Sequence, residues 1–361
     1  LLRRPTGSGA VSRDPRLNVA TQRPAFEIGG ERIAAGSRET IALSLPGQSP
    51  YAPISVPVHV IHGRRPGPAL FLSAAVHGDE INGIEIIRRI RHTRALDRLR
   101  GTLVCVPIVN VYGFINHTRY LPDRRDLNRS FPGSEKGSLA GRLARLFASE
   151  VVDRCTHGID LHTGANHRVN LPHIRADLDH PESAALARAF GAPVIVDASL
   201  RDGSLRQYGM ERGLPMLLYE AGEGLRFDAL SIRGGVRGVL NVMRELGMLA
   251  ASPSKRRTPA AAIESRESQW VRAPMSGLLR VELPMGARVH ADQVLGRIAD
   301  AIGDNEAKVT SPIEGIIIGR TNNPVVNGGD ALFHIASVEN VAHAEEAIGS
   351  FQDLHIEGLG E

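Results

Sequence analysis

Apolar positions in this chain follow two periods, and chemistry-bearing residues sit where one gives way to the other. Pro68-Ala-Leu-Phe-Leu-Ser-Ala-Ala-Val76 is a continuous apolar run of strand length, and Thr102-Leu-Val-Cys-Val-Pro-Ile-Val109 is a second. After the first run, Ile81, Ile84, Ile86, Ile87 and Ile90 recur at helical spacing, with Arg88, Arg89 and Arg91 toward the other face. Gly158-Ile-Asp-Leu-His162 is short, strand-like and broken by Thr163-Gly164. Leu214-Pro-Met-Leu-Leu-Tyr219 is another apolar run, ending at Glu220 and Gly222. Alternation over Ile41–Leu45 and Ile54–Val60 predicts antiparallel edge strands within 39–62. Helices are predicted over 81–92, 137–154, 182–190, 203–212 and 228–249. Strands alternating with helices predict an α/β fold, a mixed sheet flanked by helices.

The pattern changes at the ends. Residues 1–38 are rich in Arg, Pro, Gly and Ser and read as a flexible arm without the apolar core of a secretory signal. Residues 39–250 read as the catalytic domain and 251–262 as a linker. Residues 263–338 carry an internal repeat: Ala273–Leu279 matches Ser311–Ile317, and Val289–Ile298 matches Val326–Ile335. Two copies of strand, turn and strand with Pro-x-x-Gly openings resemble a lipoyl/biotinyl-type barrel sandwich. The stretch between the copies lacks a carrier-lysine signature, and Lys308 reads as a solvated strand residue. This smaller all-β domain is therefore expected to shape substrate access or mediate oligomerisation, with 339–361 as a tail.

Composition narrows the function. Hydrophobic residues make up 42% of 361 and aromatic ones 4%, enough for a sizeable aliphatic core. No apolar stretch approaches the ~18 residues of a membrane span. A net charge of +4 without a basic-aromatic module argues against nucleic acid and suits a small acidic substrate. Two cysteines, Cys105 and Cys155, form no pair motif, and a reducing cytoplasm is the simplest compartment.

His77-Gly-Asp-Glu80 places an imidazole and a carboxylate three residues apart, where a buried strand meets a helix. His162 adds an imidazole from a separate strand end. Two His and one carboxylate, with a position left for water, is the ligand set of a catalytic zinc. Asp160 shares a strand face with His162 and is placed to orient it. Arg119-Tyr-Leu-Pro-Asp-Arg-Arg-Asp126-Leu-Asn-Arg129 would lie at another strand's carboxyl end. Arg forks there could bind carboxylates, but alone the segment reads rather as a solvated basic loop capped by Asp126. Glu220 alone reads equally as a capping or surface residue.

His77-x-x-Glu80, Asp126-Leu-Asn-Arg129 and Asp160-x-His162, in this order, resemble the succinylglutamate desuccinylase/aspartoacylase family of the zinc carboxypeptidase superfamily. The resemblance spans roughly residues 50 to 340. It implies one zinc per chain on His77, Glu80 and His162. It implies that Asn128 and Arg129 hold a substrate carboxylate. Arg119 corresponds to the arginine that polarises the scissile carbonyl or binds a second acidic group; the longer spacing to Asp126 leaves Arg124 and Arg125 as alternatives for that role. Glu220 corresponds to the general base that activates the zinc-bound water. His117, His167, His173 and Arg168 lie near the motifs, either lining the pocket or on plain surface.

The expected activity is hydrolysis of the amide of a small N-acyl amino acid or related carboxylate-bearing amide. A metallocarboxypeptidase acting on short peptides and an esterase are the alternatives. A non-enzymatic partner-binding role would require the zinc site to be vestigial. A homo-oligomer would be unsurprising.

Overall fold

The computed structural model describes residues 23–45, 53–251, 260–338 and 341–356. Strands β1 (Phe26–Ile28) and β2 (Glu31–Ile33) form a hairpin. β3 (Arg38–Ser44) follows, then β4 (Ser55–His62), β5 (Arg65–Ala74), β6 (Arg100–Val106), β7 (His157–Gly164), β8 (Arg168–Ala176), β9 (Val194–Asp197) and β10 (Met216–Glu223). Helices α1 (Asn82–Arg91), α2 (Val111–Ile115), α3 (Leu139–Glu150), α4 (Pro181–Phe190), α5 (Leu205–Glu211) and α6 (Ala229–Glu245) fall between or after them.

The central strands β6, β5, β7 and β10 run parallel, and helices cover both faces. Burial on two sides explains why Leu70–Ala74 is apolar without alternation. The outer strands β4 and β3 are antiparallel and alternate in burial, as predicted for 39–62. Helix α1 turns Ile86, Ile87 and Ile90 inward and Glu85, Arg88 and Arg89 outward. Gly83 lets it lie against the sheet: a Cβ there would come 2.6 Å from that of Ala74 and 2.7 Å from that of Leu161. One apolar cluster joins α1, α4 and α6 to the sheet, and a second packs α3, α5 and the N-terminal hairpin on the opposite face.

Of the arm expected over 1–38, residues 1–22 lie outside the described residues. The rest is ordered: Ile28 and Ile33 are buried in the second cluster, because the hairpin caps an otherwise open apolar face. Most of the linker, 252–259, also lies outside the described residues.

Beyond it come β11 (Ile263–Ser265), β12 (Ser268–Arg272), β13 (Gly277–Val281), β14 (Arg288–Val289), β15 (Val294–Ala299), β16 (Glu306–Thr310), β17 (Gly315–Thr321), β18 (Val325–Val326) and β19 (Ala331–Ser337). The sequence repeat is a repeat of pairing. β12 joins β19 as β16 joins β15; β13 joins β15 as β17 joins β19; β13 joins β18 as β17 joins β14. Each copy thus completes the other. This all-β region is not detached from the α/β part. β17 pairs with β8 and β11 with β9, so one thirteen-stranded sheet spans both. The outer edge of β8 is shared: Arg168–Asn170 pair with β17, and His173–Ala176 with β9. The sheet forks there. Lys308 is an exposed residue within β16. The expected tail carries helix α7 (Val341–Ile356), whose Phe351 packs on Gly234 of α6. Among the described residues no helix is long and apolar enough to cross a membrane.

Candidate metal centre and cavity

His77, Glu80 and His162 converge at the carboxyl ends of β5 and β7, three buried residues with one ligand atom each within 4.8 Å of one another. Strand β5 ends at Ala74, and a turn carries the chain to α1, with Glu80 N–H donating to the His77 carbonyl at 3.1 Å. That turn folds Glu80 back between the imidazoles. Glu80 Oε1 lies 2.8 Å from His77 Nδ1, and Oε2 lies 2.7 Å from His162 Nδ1. The Thr163 amide donates to Oε2 at 3.1 Å.

The far nitrogens are held as well. His77 Nε2 lies 3.1 Å from Asp126 Oδ1, and His162 Nε2 lies 2.6 Å from Asp160 Oδ2. Asp160 is fixed in turn by the Ser73 hydroxyl, its register partner on β5, at 2.7 Å. A carboxylate on Nε2 holds a proton there, so Nδ1 is the nitrogen that a bound cation would deprotonate and use as donor. Both rings therefore turn Nδ1 inward.

Charge shows the same design. Burial opposes charge on both imidazoles, but Glu80 with Asp126 raises the His77 pKa, and Asp160 with Glu80 raises that of His162 well above the ordinary value. Burial would lift Glu80, yet the two histidines hold it well below the usual carboxylate range. The site favours positive charge at its centre. A divalent cation supplies that charge while leaving the imidazoles neutral, so the donor set fits a borderline metal such as zinc.

Glu220 enters from the neighbouring strand. In the parallel pair of β10 with β7 it is opposite His162, and in the antiparallel pair with β8 it is opposite His173. Its Oε2 accepts from Asn170 Nδ2 at 2.8 Å. Burial and Glu80 raise its pKa, with His162 and Arg175 opposing.

Arg119 bridges Glu80 Oε1 at 3.1 Å and Asp126 Oδ2 at 3.0 Å. Asn128 is buried, and its Oδ1 accepts from the Leu205 amide at 2.8 Å, which leaves its Nδ2 to donate elsewhere. These residues line a cavity of about 510 Å³ together with Arg129, Arg168 and His173. Arg124 and Arg125 do not line it. Arg125 is exposed and only 4.0 Å from Asp123, and Arg124 sits at φ +60°. They fall in the turn between Leu121 and Asp126, where Leu121 and Arg125 pair backbone to backbone, so their side chains leave the site. Arg125, expected to bind substrate, is therefore not among the residues that line this cavity. His117 and His167 are exposed at φ +53° and +60° and also lie outside the lining.

Several lining residues escaped the sequence reading. Arg175, Arg201, Arg206 and Arg272 bring the cavity's arginines to seven against three carboxylates, Glu80, Asp126 and Glu220. Trp270, Arg272 and His334 come from the all-β region, and Trp270 stacks on His334 with centroids 4.6 Å apart and planes at 7°. Only the unpredicted strand β8, with His173 and Arg175 two residues apart on one face, offered a signal for any of these.

The model of the succinylglutamate desuccinylase/aspartoacylase catalytic domain matches residues 66–246. The chain is 28% identical over 302 residues to N-alpha-acetyl-L-2,4-diaminobutyric acid deacetylase of Halomonas elongata, covering 81% of this chain and 88% of that one. A succinylglutamate desuccinylase/aspartoacylase of Rhodobacter sphaeroides superposes with a TM-score of 0.76 at 25% identity, over 83% of this chain and 96% of the other. The product-bound ectoine utilization protein EutE of Ruegeria pomeroyi also gives 0.76, at 24% identity over 83% and 95%. The chain belongs to the succinylglutamate desuccinylase/aspartoacylase family, within the zinc carboxypeptidase-like superfamily.

Proposed function

We propose that the protein is a zinc-dependent deacylase that cleaves the amide bond of a small N-acyl amino acid or a related carboxylate-bearing amide. One observation carries this reading: Glu220, the candidate base, is the register neighbour of His162 at the rim of an arginine-rich cavity. A volume of about 510 Å³ suits a small molecule. The excess of arginine suits an acidic one. The deacetylase of Halomonas elongata supports an acyl amino acid as substrate class.

His77, Glu80 and His162 would hold the metal, with Asp126 and Asp160 steadying the rings. The chemistry a zinc ion supplies when bound is acidification of a water and polarisation of an acyl oxygen. Glu220 takes the proton of the attacking water, which suits a carboxylate whose pKa burial has raised. The same proton then passes to the leaving amine. Arg119 brings a guanidinium to the developing oxyanion. Asn128 and Arg129 clamp the substrate carboxylate. The strand exchange between the two C-terminal repeats supports the barrel-sandwich reading, and Trp270 and His334 support a role for that region in closing the cavity.

The test is a panel of N-acetyl-2,4-diaminobutyrate, N-acetylaspartate, N-succinylglutamate and simple dipeptides, with zinc-loaded and chelator-treated protein, reading free amine. Cleavage of acyl amino acids, lost on chelation, is expected. Cleavage of dipeptides alone would transfer the protein to the carboxypeptidase reading.

A further inference from the structure

Among the described residues, the Glu220 carboxylate has one hydrogen-bond partner, the Asn170 carboxamide. The pairing of β10 with β8 is irregular at this place: Glu220 is opposite His173, but Gly222 is opposite Asn170. The extra residue on β8 breaks the regular ladder beside Glu220 and re-aims side chains locally. The Asn170 Nδ2 thereby reaches Glu220 Oε2.

Asn170 is held from its other side by the all-β region. It is the register partner of Gly319 on β17. A Cβ on Gly319 would lie 3.0 Å from Asn170 Oδ1, 3.2 Å from the Cβ of His334 and 3.7 Å from the Trp270 ring. Gly319 itself pairs with His334 across β17 and β19. The glycine is thus the close approach of the C-terminal strands to the site, and the space it leaves holds the carboxamide.

We propose that Asn170 is a positioning residue for Glu220, and that Gly319 of the C-terminal strands sets its orientation. The proposal rests on Glu220 being the base. A charge-free donor on Oε2 fixes the carboxylate without neutralising it, leaving Oε1 free to accept a proton. It also gives the C-terminal region a part in catalysis that needs no contact with substrate. A misplaced base costs rate even when it is present, because proton transfer falls steeply with geometry.

The test uses Asn170→Leu, which keeps the volume and removes the donor, with Asn170→Ala as the second variant, and Gly319→Ala. Crystal structures of the zinc-loaded variants read the Glu220 carboxylate directly. It should leave its place in all of them while the melting temperature stays near that of the parent. A carboxylate that stays put overturns the proposal. On the acyl amino acid of the panel that the parent cleaves fastest, kcat should fall about ten- to a hundredfold with KM within about twofold. A raised KM with kcat intact would make Asn170 a substrate ligand instead and overturn it equally. Gly319→Ala should cost kcat in the parent and almost nothing further in Asn170→Leu; additive losses would dissociate the two residues. Glu220→Gln is measured beside them. Turnover kept in that variant removes the base reading, and the crystallographic arm then decides alone whether Asn170 places the carboxylate.

Discussion

Glu220 and His162 are opposite each other in the parallel ladder of β10 and β7. Adjacent strands lie about 4.8 Å apart. A base on one strand and a metal ligand on the next are therefore neighbours by construction, and the sheet itself holds the spacing. Glu220→Gln should keep its zinc and lose turnover by about a hundredfold or more. Metal analysis beside steady-state kinetics checks this, and a variant with parental kcat would take Glu220 out of the mechanism.

His162→Ala removes one of three donors and should abolish stoichiometric zinc. Asp160→Asn and Asp126→Asn leave the donors in place but loosen the proton on Nε2. Each should weaken zinc about ten- to a hundredfold. Competition with a chromogenic chelator measures all three; unchanged affinity in both Asn variants would show that the carboxylates do not orient the rings.

The two arginines beside Asn128 and Asp126 should separate cleanly. Arg129 lines the cavity and Arg125 does not. Arg129→Ala should raise KM for an acyl amino acid about tenfold or more, the loss expected when one charge-assisted contact disappears. Arg125→Ala should leave kcat/KM within twofold. A large KM effect at Arg125 would return it to the clamp.

Stability should decline on the acid side. The His334 imidazole is buried against Trp270, and burial, with Arg175, His173 and Arg201 nearby, pushes its pKa down to about 2. The unfolded chain binds a proton there near pH 6.5 and the folded chain does not. Its contribution is thus intact above about pH 6.5 and is lost progressively as pH falls toward 2. His334→Phe keeps an aromatic ring over Trp270 and should flatten the fall in urea midpoint between pH 7 and pH 5. An equal slope in parent and variant would assign the acid sensitivity elsewhere.

Packing of α1 should respond in the usual measure. Ile87 is 1% exposed within the cluster under α1 and α6. Ile87→Ala should cost about 2–5 kcal/mol of unfolding free energy. A denaturant titration checks it, and a loss under 1 kcal/mol would mean that the helix is held by other contacts.

Local pattern alone was enough for much of this molecule. The apolar runs ending at His77, His162 and Glu220 are strands buried on both faces, which leaves no alternation and puts each motif at a carboxyl end. The helices over 82–91, 139–150, 181–190, 205–211 and 229–245 lie within or close to the predicted spans, because one-sided burial writes a 3.6-residue period into sequence. His77 and Glu80 were legible as a pair because one turn joins them, whereas His162, 82 residues from Glu80, was tied to them by the resemblance and meets them through the pairing of β5 with β7. The rest depends on pairs distant in sequence. Arg125 and Arg129 look alike in a basic loop, and only the turn direction sends one outward. Asn170 meets Glu220, and Gly319 meets Asn170, through register between strands that no local period records. The split edge of β8 joins the all-β region to the central sheet, and Trp270 and His334 reach the cavity from there. Hydrophobic periodicity reports which face of an element is buried, not which element covers it, so these contacts were decided by tertiary structure.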